Sequence, residues 1–217
     1  MSNGGWGPSD TPRVVKWVLL ITLVISLLAS LLNPAFLKVL AIPGPQNWLE
    51  LSLEGLKHGF FWQPISYLFV QRNGEEGVGF FLLTSLAFDL YVLWIIGSMV
   101  QERVGSLRFL FLYLGAGAVA GLAAIAVAFF AKQGFILAGP TPSLLALFVC
   151  WVMYYPTSEM RLFFLIPLRT KWILATVVVF ICLVTLLQLD EIAFTHYAVA
   201  MAFGYVFGRT VLGLKPF

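Results

Sequence analysis

The chain has 217 residues, of which 60% are apolar and only 11% are charged, and its mean hydropathy is +0.94. These values exclude a soluble globular protein, in which about 45 to 50% of residues are apolar and about 25% are charged. The formal net charge of +3 indicates no nucleic-acid partner. We expect a protein whose main surroundings are a lipid bilayer.

Six apolar runs follow one another along the chain, and roughly 20 apolar residues suffice to span a bilayer core. They cover residues 17–32, 78–100, 110–130, 144–155, 172–189 and 193–214. Neighbouring residues lengthen the short first and fourth runs. We predict an all-α polytopic membrane protein, a single domain of six transmembrane helices over residues 13–217. A Gly-, Ser- and Pro-rich tail, residues 1–12, should be flexible.

The basic residues predict the orientation of these helices, because cytoplasmic loops are enriched in Lys and Arg. One set of predicted helix ends carries Arg13, Lys16, Arg103, Arg108, Arg161, Arg169, Lys171, Arg209 and Lys215. The opposite ends carry the smaller set Lys38, Lys57, Arg72 and Lys132. Both termini are therefore predicted to be cytoplasmic, in a membrane that we expect to be a bacterial inner membrane.

The first loop, residues 33–77, is longer than a simple connection needs. It carries Trp48, Phe60, Phe61 and Trp62, and such aromatic residues favour the membrane interface. Residues 51–57 are amphipathic enough for a short helix on the membrane surface. A loop tucked between the helices is an equal alternative.

The cysteines and histidines predict no metal site and no cofactor. Cys150 and Cys182 lie inside apolar helices, where buried thiols behave as small hydrophobic groups. His58 and His196 are far apart and lack a flanking pattern of carboxylates.

Three stretches of the sequence resemble motifs of the rhomboid intramembrane serine proteases. Residues 61–69 (FWQPISYLF) resemble the motif that Trp62 begins, with Gln63 where many members have arginine. Residues 97–106 (GSMVQERVGS) resemble the helix-ending glycine, charged pair and second glycine of the family, here Gly97 and Gly105. The family's connection between the fourth and fifth helices is resembled by a turn that contains Pro156, residues 161–167 (RLFFLIP) and Lys171-Trp172. Together they occur in the family's order from about residue 62 to 208.

The resemblance implies a six-helix rhomboid-like bundle with a serine at the start of the fourth helix and a histidine on the sixth. The serine position falls at Thr141, and His196 matches the histidine. The two residues that stabilise the oxyanion in the family correspond to Ser85 and Asp89. The histidine that usually ends the tryptophan motif corresponds to Gln71.

The departures from the family pattern argue against catalysis. Gly139 keeps the first glycine of the motif, but a methyl-bearing Thr141 must now fit the attack trajectory, where an error of about 1 Å costs roughly a hundredfold. Pro142 replaces a glycine, which removes a backbone donor and fixes φ. Asp89 places an acceptor where a donor faced the oxyanion, and losing one such donor costs about 3 to 4 kcal/mol.

His196 needs a partner, because an ionisable side chain inside an apolar helix is expensive. One alternative makes it a general base for Thr141 or Ser143. The other, which we favour, makes it a structural residue held by a hydrogen bond. We hypothesise that Asp89, the acid inside a predicted span, is that partner.

Other site residues also have two interpretations. Ser143 is the nucleophile only if the family's serine motif is aligned two residues later in this sequence. Otherwise it is a cap or a first-turn residue of the helix. Ser85 is either a surviving oxyanion donor or, as we favour, a small packing residue. Trp62 is either a gate or an interfacial anchor, and we favour the anchor.

The sixth helix departs from the family as well. Small glycines at the third and seventh positions after the histidine allow close helix approach in active relatives, and Val199 and Phe203 stand there instead. A later pair of glycines, Gly204 and Gly208, and the pair formed by Gly117 and Gly121 predict internal packing of the bundle.

We therefore expect a catalytically degenerate rhomboid-like protein that binds transmembrane helices of other membrane proteins, in their assembly, stabilisation or quality control. One alternative is an active intramembrane endopeptidase that uses Thr141 with His196. A second is a structural subunit of a larger membrane complex. No nucleic acid is expected as a partner.

Overall fold

The computed structural model describes residues 10–40, 42–72, 78–155, 159–162, 166–188 and 190–214. The predictions for residues 1–9 of the tail and for Pro156 lie outside these ranges. Within the described residues the chain is mainly helical, as predicted. Residues 10–12 precede the first helix, and there the Thr11 hydroxyl accepts a hydrogen bond from Trp94 Nε1 at 2.8 Å.

In chain order the elements are α1 (Arg13–Ala35), a π-helical turn (Phe36–Leu40), α2 (Pro45–Leu49), β1 (Leu51–Ser52), α3 (Leu53–Lys57), α4 (Gln63–Ser66), a 3-10 turn (Tyr67–Phe69), α5 (Phe80–Val92), a second π-helical turn (Leu93–Gly97), α6 (Ser98–Val104), α7 (Ser106–Ala131), β2 (Ile136–Leu137), α8 (Thr141–Tyr154), β3 (Glu159–Leu162), β4 (Ile166–Arg169), α9 (Thr170–Leu187) and α10 (Glu191–Thr210).

Helices occur at all six predicted runs. Among the described residues, three helical stretches are long and apolar enough to cross a membrane, namely Arg13–Leu40, Phe80–Val104 and Ser106–Ala131. Thr141–Tyr154 and Leu174–Thr185 are apolar but shorter. That six helices cross the bilayer, with both termini in the cytoplasm, stays a prediction.

Local chemistry explains several helix boundaries. Gly105 separates α6 from α7 with a φ of +82°, a conformation that costs glycine little. The Asp190 side chain begins α10 by accepting a hydrogen bond from the Ala193 N–H at 2.8 Å, which satisfies one of the free donors of a helix N-terminus. Lys132 ends α7 in the left-handed conformation.

The first loop is tucked against α7, one of the two arrangements that the sequence left open. The short helix predicted within residues 51–57 is present as α3. Leu51, Tyr67 and Leu68 are fully buried and pack against α7. The strand β1 pairs antiparallel with β2, so that Leu51 lies opposite Leu137. The loop is therefore joined by backbone hydrogen bonds to the connection between α7 and α8.

The centre of the bundle consists of α7, α8 and α10. A Cβ at Gly204 would stand 2.6 Å from the Ala146 carbonyl oxygen, so the backbones of α10 and α8 touch at this point. A Cβ at Gly208 would meet Met153 Sδ at 2.7 Å. The fully buried Cys150 donates to the Gly204 carbonyl at 3.1 Å, which confirms its prediction as a core residue. Cys182 is only half-buried.

The second predicted pair of small residues receives the first loop. A Cβ at Gly117 would stand 2.5 Å from Leu68, and a Cβ at Gly121 would stand 2.9 Å from Leu51. Both glycine pairs thus serve internal packing, as the sequence analysis predicted.

Candidate active site

The opening turn of α8 is held by the first loop. Gly139 has a φ of +109°, which favours glycine. Its N–H donates to the Tyr67 carbonyl at 2.9 Å. A Cβ at this position would stand 3.2 Å from Oε1 of Gln71. The backbone conformation therefore favours glycine at position 139, and a side chain there would also crowd the amide of Gln71.

Thr141 and Pro142 are the first two residues of α8. A proline is tolerated here, because the first N–H groups of a helix have no partner within the helix. Because Pro142 has no backbone N–H, a possible oxyanion site at this turn has one hydrogen-bond donor fewer than it would have with glycine. Thr141 is half-buried, and its hydroxyl makes no hydrogen bond to the residues that the structure describes.

His196 lies on α10 and is 3% exposed. Its Nε2 lies 2.9 Å from the hydroxyl oxygen of Tyr67, and that hydroxyl lies 2.7 Å from the Gly117 carbonyl oxygen, to which it donates. Because the single hydroxyl proton goes to the carbonyl, Nε2 of His196 must be the donor to Tyr67. Nδ1 is buried and has no hydrogen-bond partner among the described residues.

Ser143, the alternative nucleophile, is fully buried in the first turn of α8. Its hydroxyl donates to the Tyr113 carbonyl of α7 at 2.6 Å. Within the described chain no hydrogen bond joins His196 to either Thr141 or Ser143. The histidine is held by the first loop, while Ser143 connects α8 to α7.

Asp89, on α5, is 8% exposed. It accepts a hydrogen bond from Nε2 of Gln71. In the part of the chain that the structure describes, no hydrogen bond or ion pair joins Asp89 to His196. The hypothesised pair is therefore wrong, because Gln71 and Tyr67 of the first loop are the partners of the two side chains.

Ser85 lies one turn before Asp89 on α5. Its hydroxyl donates to the Leu82 carbonyl of the same helix at 3.1 Å, and the residue is exposed. This back-bonding engages the hydroxyl that an oxyanion would need. The exposed position also places Ser85 outside the packed core, in which we had expected a small packing residue.

Gln71 belongs to a buried polar network that the sequence analysis missed. The backbone carbonyl of Gln71 accepts a hydrogen bond from Nε2 of Gln46 at 3.1 Å. Nε2 of Gln46 also donates to the Ser30 hydroxyl at 2.9 Å. The backbone N–H of Gln71 donates to the Ser26 hydroxyl at 3.2 Å, and Ser26 donates to the Phe69 carbonyl at 2.9 Å. The network joins α1, the first loop and, through Asp89, α5.

The spacing of polar residues in α1 was the signal for this network. Thr22, Ser26, Ser30 and Asn33 recur at helical spacing in an otherwise apolar run, and all four are buried. A buried polar stripe in a membrane helix requires partners inside the protein.

The tryptophan motif is anchored within the first loop. Trp62 is 51% exposed, and its Nε1 donates to the Trp48 carbonyl at 2.9 Å. Gln63, which replaces the family's arginine, is fully buried. Its amide donates to the Asn47 carbonyl at 3.2 Å and accepts from the Ser52 N–H at 3.3 Å. The choice between anchor and gate for Trp62 stays open.

Gly97, which resembles the helix-ending glycine of the family, does not end a helix here, because its backbone is helical and α6 continues to Val104. Gly97 is buried at the end of the second π-helical turn. A Cβ at this position would stand 3.1 Å from Leu93 and 3.5 Å from Phe109 of α7. It is a packing position between α5 and α7.

The buried face of α10 does not follow the spacing that the sequence analysis used. Its buried residues include His196, Ala200 and Gly204, at intervals of one helical turn. Val199 and Phe203 lie beside this face, and neither is fully buried. Close approach to α8 occurs at Gly204, so the replacement of the family's glycines by Val199 and Phe203 does not prevent it.

Comparison with known proteins identifies a family for this chain. A family model described as the Rhomboid domain matches residues 79–214, which is more than half of the chain. The match runs from the residue before α5 to just beyond α10, so the first-loop motif lies outside it. No curated protein matches the chain.

Proposed function

The chain belongs to the rhomboid family, and from this premise we propose that it is a catalytically degenerate member that binds transmembrane segments of other membrane proteins. It is an integral membrane protein, and we place it, as a proposal, in a bacterial inner membrane with both termini in the cytoplasm. The observation that carries the proposal is the hydrogen bond between His196 and Tyr67.

A general base must lie within hydrogen-bond reach of the proton that it removes. Nε2 of His196 carries a proton and faces the Tyr67 hydroxyl. Nδ1 carries none, but no described hydroxyl is hydrogen-bonded to it. Activation through Nε2 would require His196 to leave Tyr67, whereas activation through Nδ1 would require a hydroxyl to reach an atom to which no described hydroxyl is hydrogen-bonded. Ser143 would also have to leave the Tyr113 carbonyl.

The surroundings of the oxyanion site support the same proposal. Asp89 offers an acceptor, Gln71 is already hydrogen-bonded to it, and Pro142 has no N–H. An ionised carboxylate next to a developing oxyanion raises the barrier instead of lowering it.

A binding role is supported by what the fold retains. The close contact of α8 with α10 and the buried loop preserve a rigid helical frame. The helix α5 exposes the large apolar side chains of Phe80, Phe81, Phe88 and Tyr91. Such a face packs against lipid or against another transmembrane helix.

The test uses the purified protein in nanodiscs of phosphatidylcholine. A fluorophosphonate probe and a transmembrane reporter measure catalysis, and energy transfer to a labelled single-span peptide measures binding. We expect no labelling and no cleavage, with peptide binding unchanged by His196→Ala. An active rhomboid protease in the same nanodiscs is the positive control.

Labelling or cleavage that depends on His196 would instead establish the peptidase, with Thr141 or Ser143 as nucleophile. Absence of binding to any single-span peptide would overturn the proposed binding function.

A further inference from the structure

A cavity of about 700 Å³ lies between the first loop and the connection that follows α7. Its walls include the apolar side chains of Phe60 and Phe135 and the titratable side chains of Glu50, Glu54, His58 and Arg72. Its volume falls within the roughly 300 to 1,000 Å³ typical of pockets that bury a ligand. The degenerate active site does not use any of these residues.

Glu50 is the unusual group in this cavity, because the residue is only 3% exposed. To the described residues its carboxylate makes one ion pair, in which Oε2 lies 3.6 Å from Nε of Arg72. That distance is too long for a hydrogen bond. A buried carboxylate without a hydrogen-bond donor is costly, and a donor that enters the cavity would offset the cost.

The charge balance of the cavity favours a cation. Glu54 is exposed and adds a second carboxylate, while Arg72 is the single permanent cation among the described lining residues. Nδ1 of His58 faces the Glu54 carbonyl at 2.8 Å. Burial raises the pKa of Glu50, and Arg72 only partly opposes this effect. A further cation would favour the ionised carboxylate.

We propose that this cavity binds a lysine or arginine side chain of the segment that flanks a transmembrane helix held by the protein. The proposal rests on the proposed function, because a transmembrane helix bound by the protein has a flanking segment at each end of the bundle. The apolar walls suit the aliphatic stem of such a side chain, while the carboxylates bind its charged end.

The experiment compares two synthetic single-span peptides that share one apolar span. One carries Lys-Lys and the other Gln-Gln at both ends, so that the direction of insertion does not matter. Binding to the full-length protein is measured by energy transfer in phosphatidylcholine nanodiscs. We expect wild type to bind the Lys peptide on the order of tenfold more tightly, as hydrogen bonds to charged groups imply.

Two kinds of variant test the cavity itself. Glu50→Gln combined with Glu54→Gln should lower the affinity for the Lys peptide to that for the Gln peptide. Gly134→Phe should do the same by filling the cavity, since a Cβ at Gly134 meets no atom within 4 Å. Glu102→Gln is the matched control, because this exposed acid lies at the end of α6 remote from the first loop. Unchanged binding of the Gln peptide shows that each variant is folded.

Equal binding of the two peptides by wild type would overturn this inference and leave the proposed function standing. Binding of neither peptide would overturn both. If the peptides bind equally and the double variant retains less phosphatidylethanolamine during purification, the cavity holds a lipid headgroup and the proposal is wrong.

Discussion

The hydroxyl oxygen of Tyr67 lies 2.9 Å from Nε2 of His196, across 129 positions of sequence. This contact joins the first loop to α10 and gives the buried histidine its described hydrogen bond. The same hydroxyl binds the Gly117 carbonyl of α7. One side chain of the first loop thus connects two of the three central helices.

Tyr67→Phe should destabilise the protein. The change leaves the Gly117 carbonyl and the His196 ring without their partner, and an unsatisfied buried group costs about 1 to 3 kcal/mol. Unfolding in mixed micelles, followed by tryptophan fluorescence, measures the difference. Tyr91→Phe on the exposed surface of α5 is the control. Equal stability of the two variants would show that the hydrogen bonds of Tyr67 contribute little.

Gly204→Val should disrupt the packing of α10 against α8. Even a Cβ at this position approaches the Ala146 carbonyl oxygen to 2.6 Å, and rigid backbone cannot yield cheaply. Overpacking of this kind costs about 1 to 3 kcal/mol or more. Gly134→Val, in open space, is the matched control. The measurement is the midpoint temperature of aggregation in detergent, and a midpoint unchanged from wild type would argue against close helix contact.

Thr141→Ser alone should not create a protease. The substitution places the family's serine at position 141, but His196 remains bound to Tyr67, and Asp89 remains at the position that corresponds to an oxyanion-stabilising residue of the family. Fluorophosphonate labelling should stay at the level of Thr141→Ala. Labelling of the serine variant above that level, abolished by His196→Ala, would show that the histidine is free to act.

The pH dependence of stability should change in Glu50→Gln. Burial raises the pKa of Glu50 above its ordinary value of 4.5, so the folded state binds this proton more tightly than the unfolded state. The stabilising contribution is complete below about pH 4.5 and is lost as the pH rises through the folded-state pKa. Relative to Glu50→Gln, wild type should therefore lose stability as the pH rises above about 4.5. A constant difference in unfolding midpoint above this pH would contradict the expectation.

Local patterns in the sequence predicted the helices and the small-residue contacts. The apolar runs predicted six helices because apolar length is a local property. Gly204 and Gly208 predicted a close contact for the same reason. Local patterns could not predict the hydrogen-bond partners of Asp89 and His196. These partners, Gln71 and Tyr67, come from a loop whose path depends on burial of Leu51 and on pairing with β2.

Val199 and Phe203 show a limit of positions that are carried over from a family. Spacings of three and seven residues were taken from the family, whereas the buried face of α10 repeats every four residues from His196 through Ala200 to Gly204. A shift of one residue around a helix turns a side chain by about 100°. The resemblance therefore placed His196 correctly on the buried face of α10, but the two glycine positions counted from it lie beside that face.

The polar stripe of α1 has a consequence for biosynthesis. Ser26 and Ser30 find their partners at Phe69 and Gln46, which leave the ribosome later than α1 itself. A newly inserted α1 thus meets lipid before those partners exist, and its hydroxyls must turn back onto carbonyls of their own helix. The packing of α1 against its polar partners should therefore wait for synthesis of the first loop.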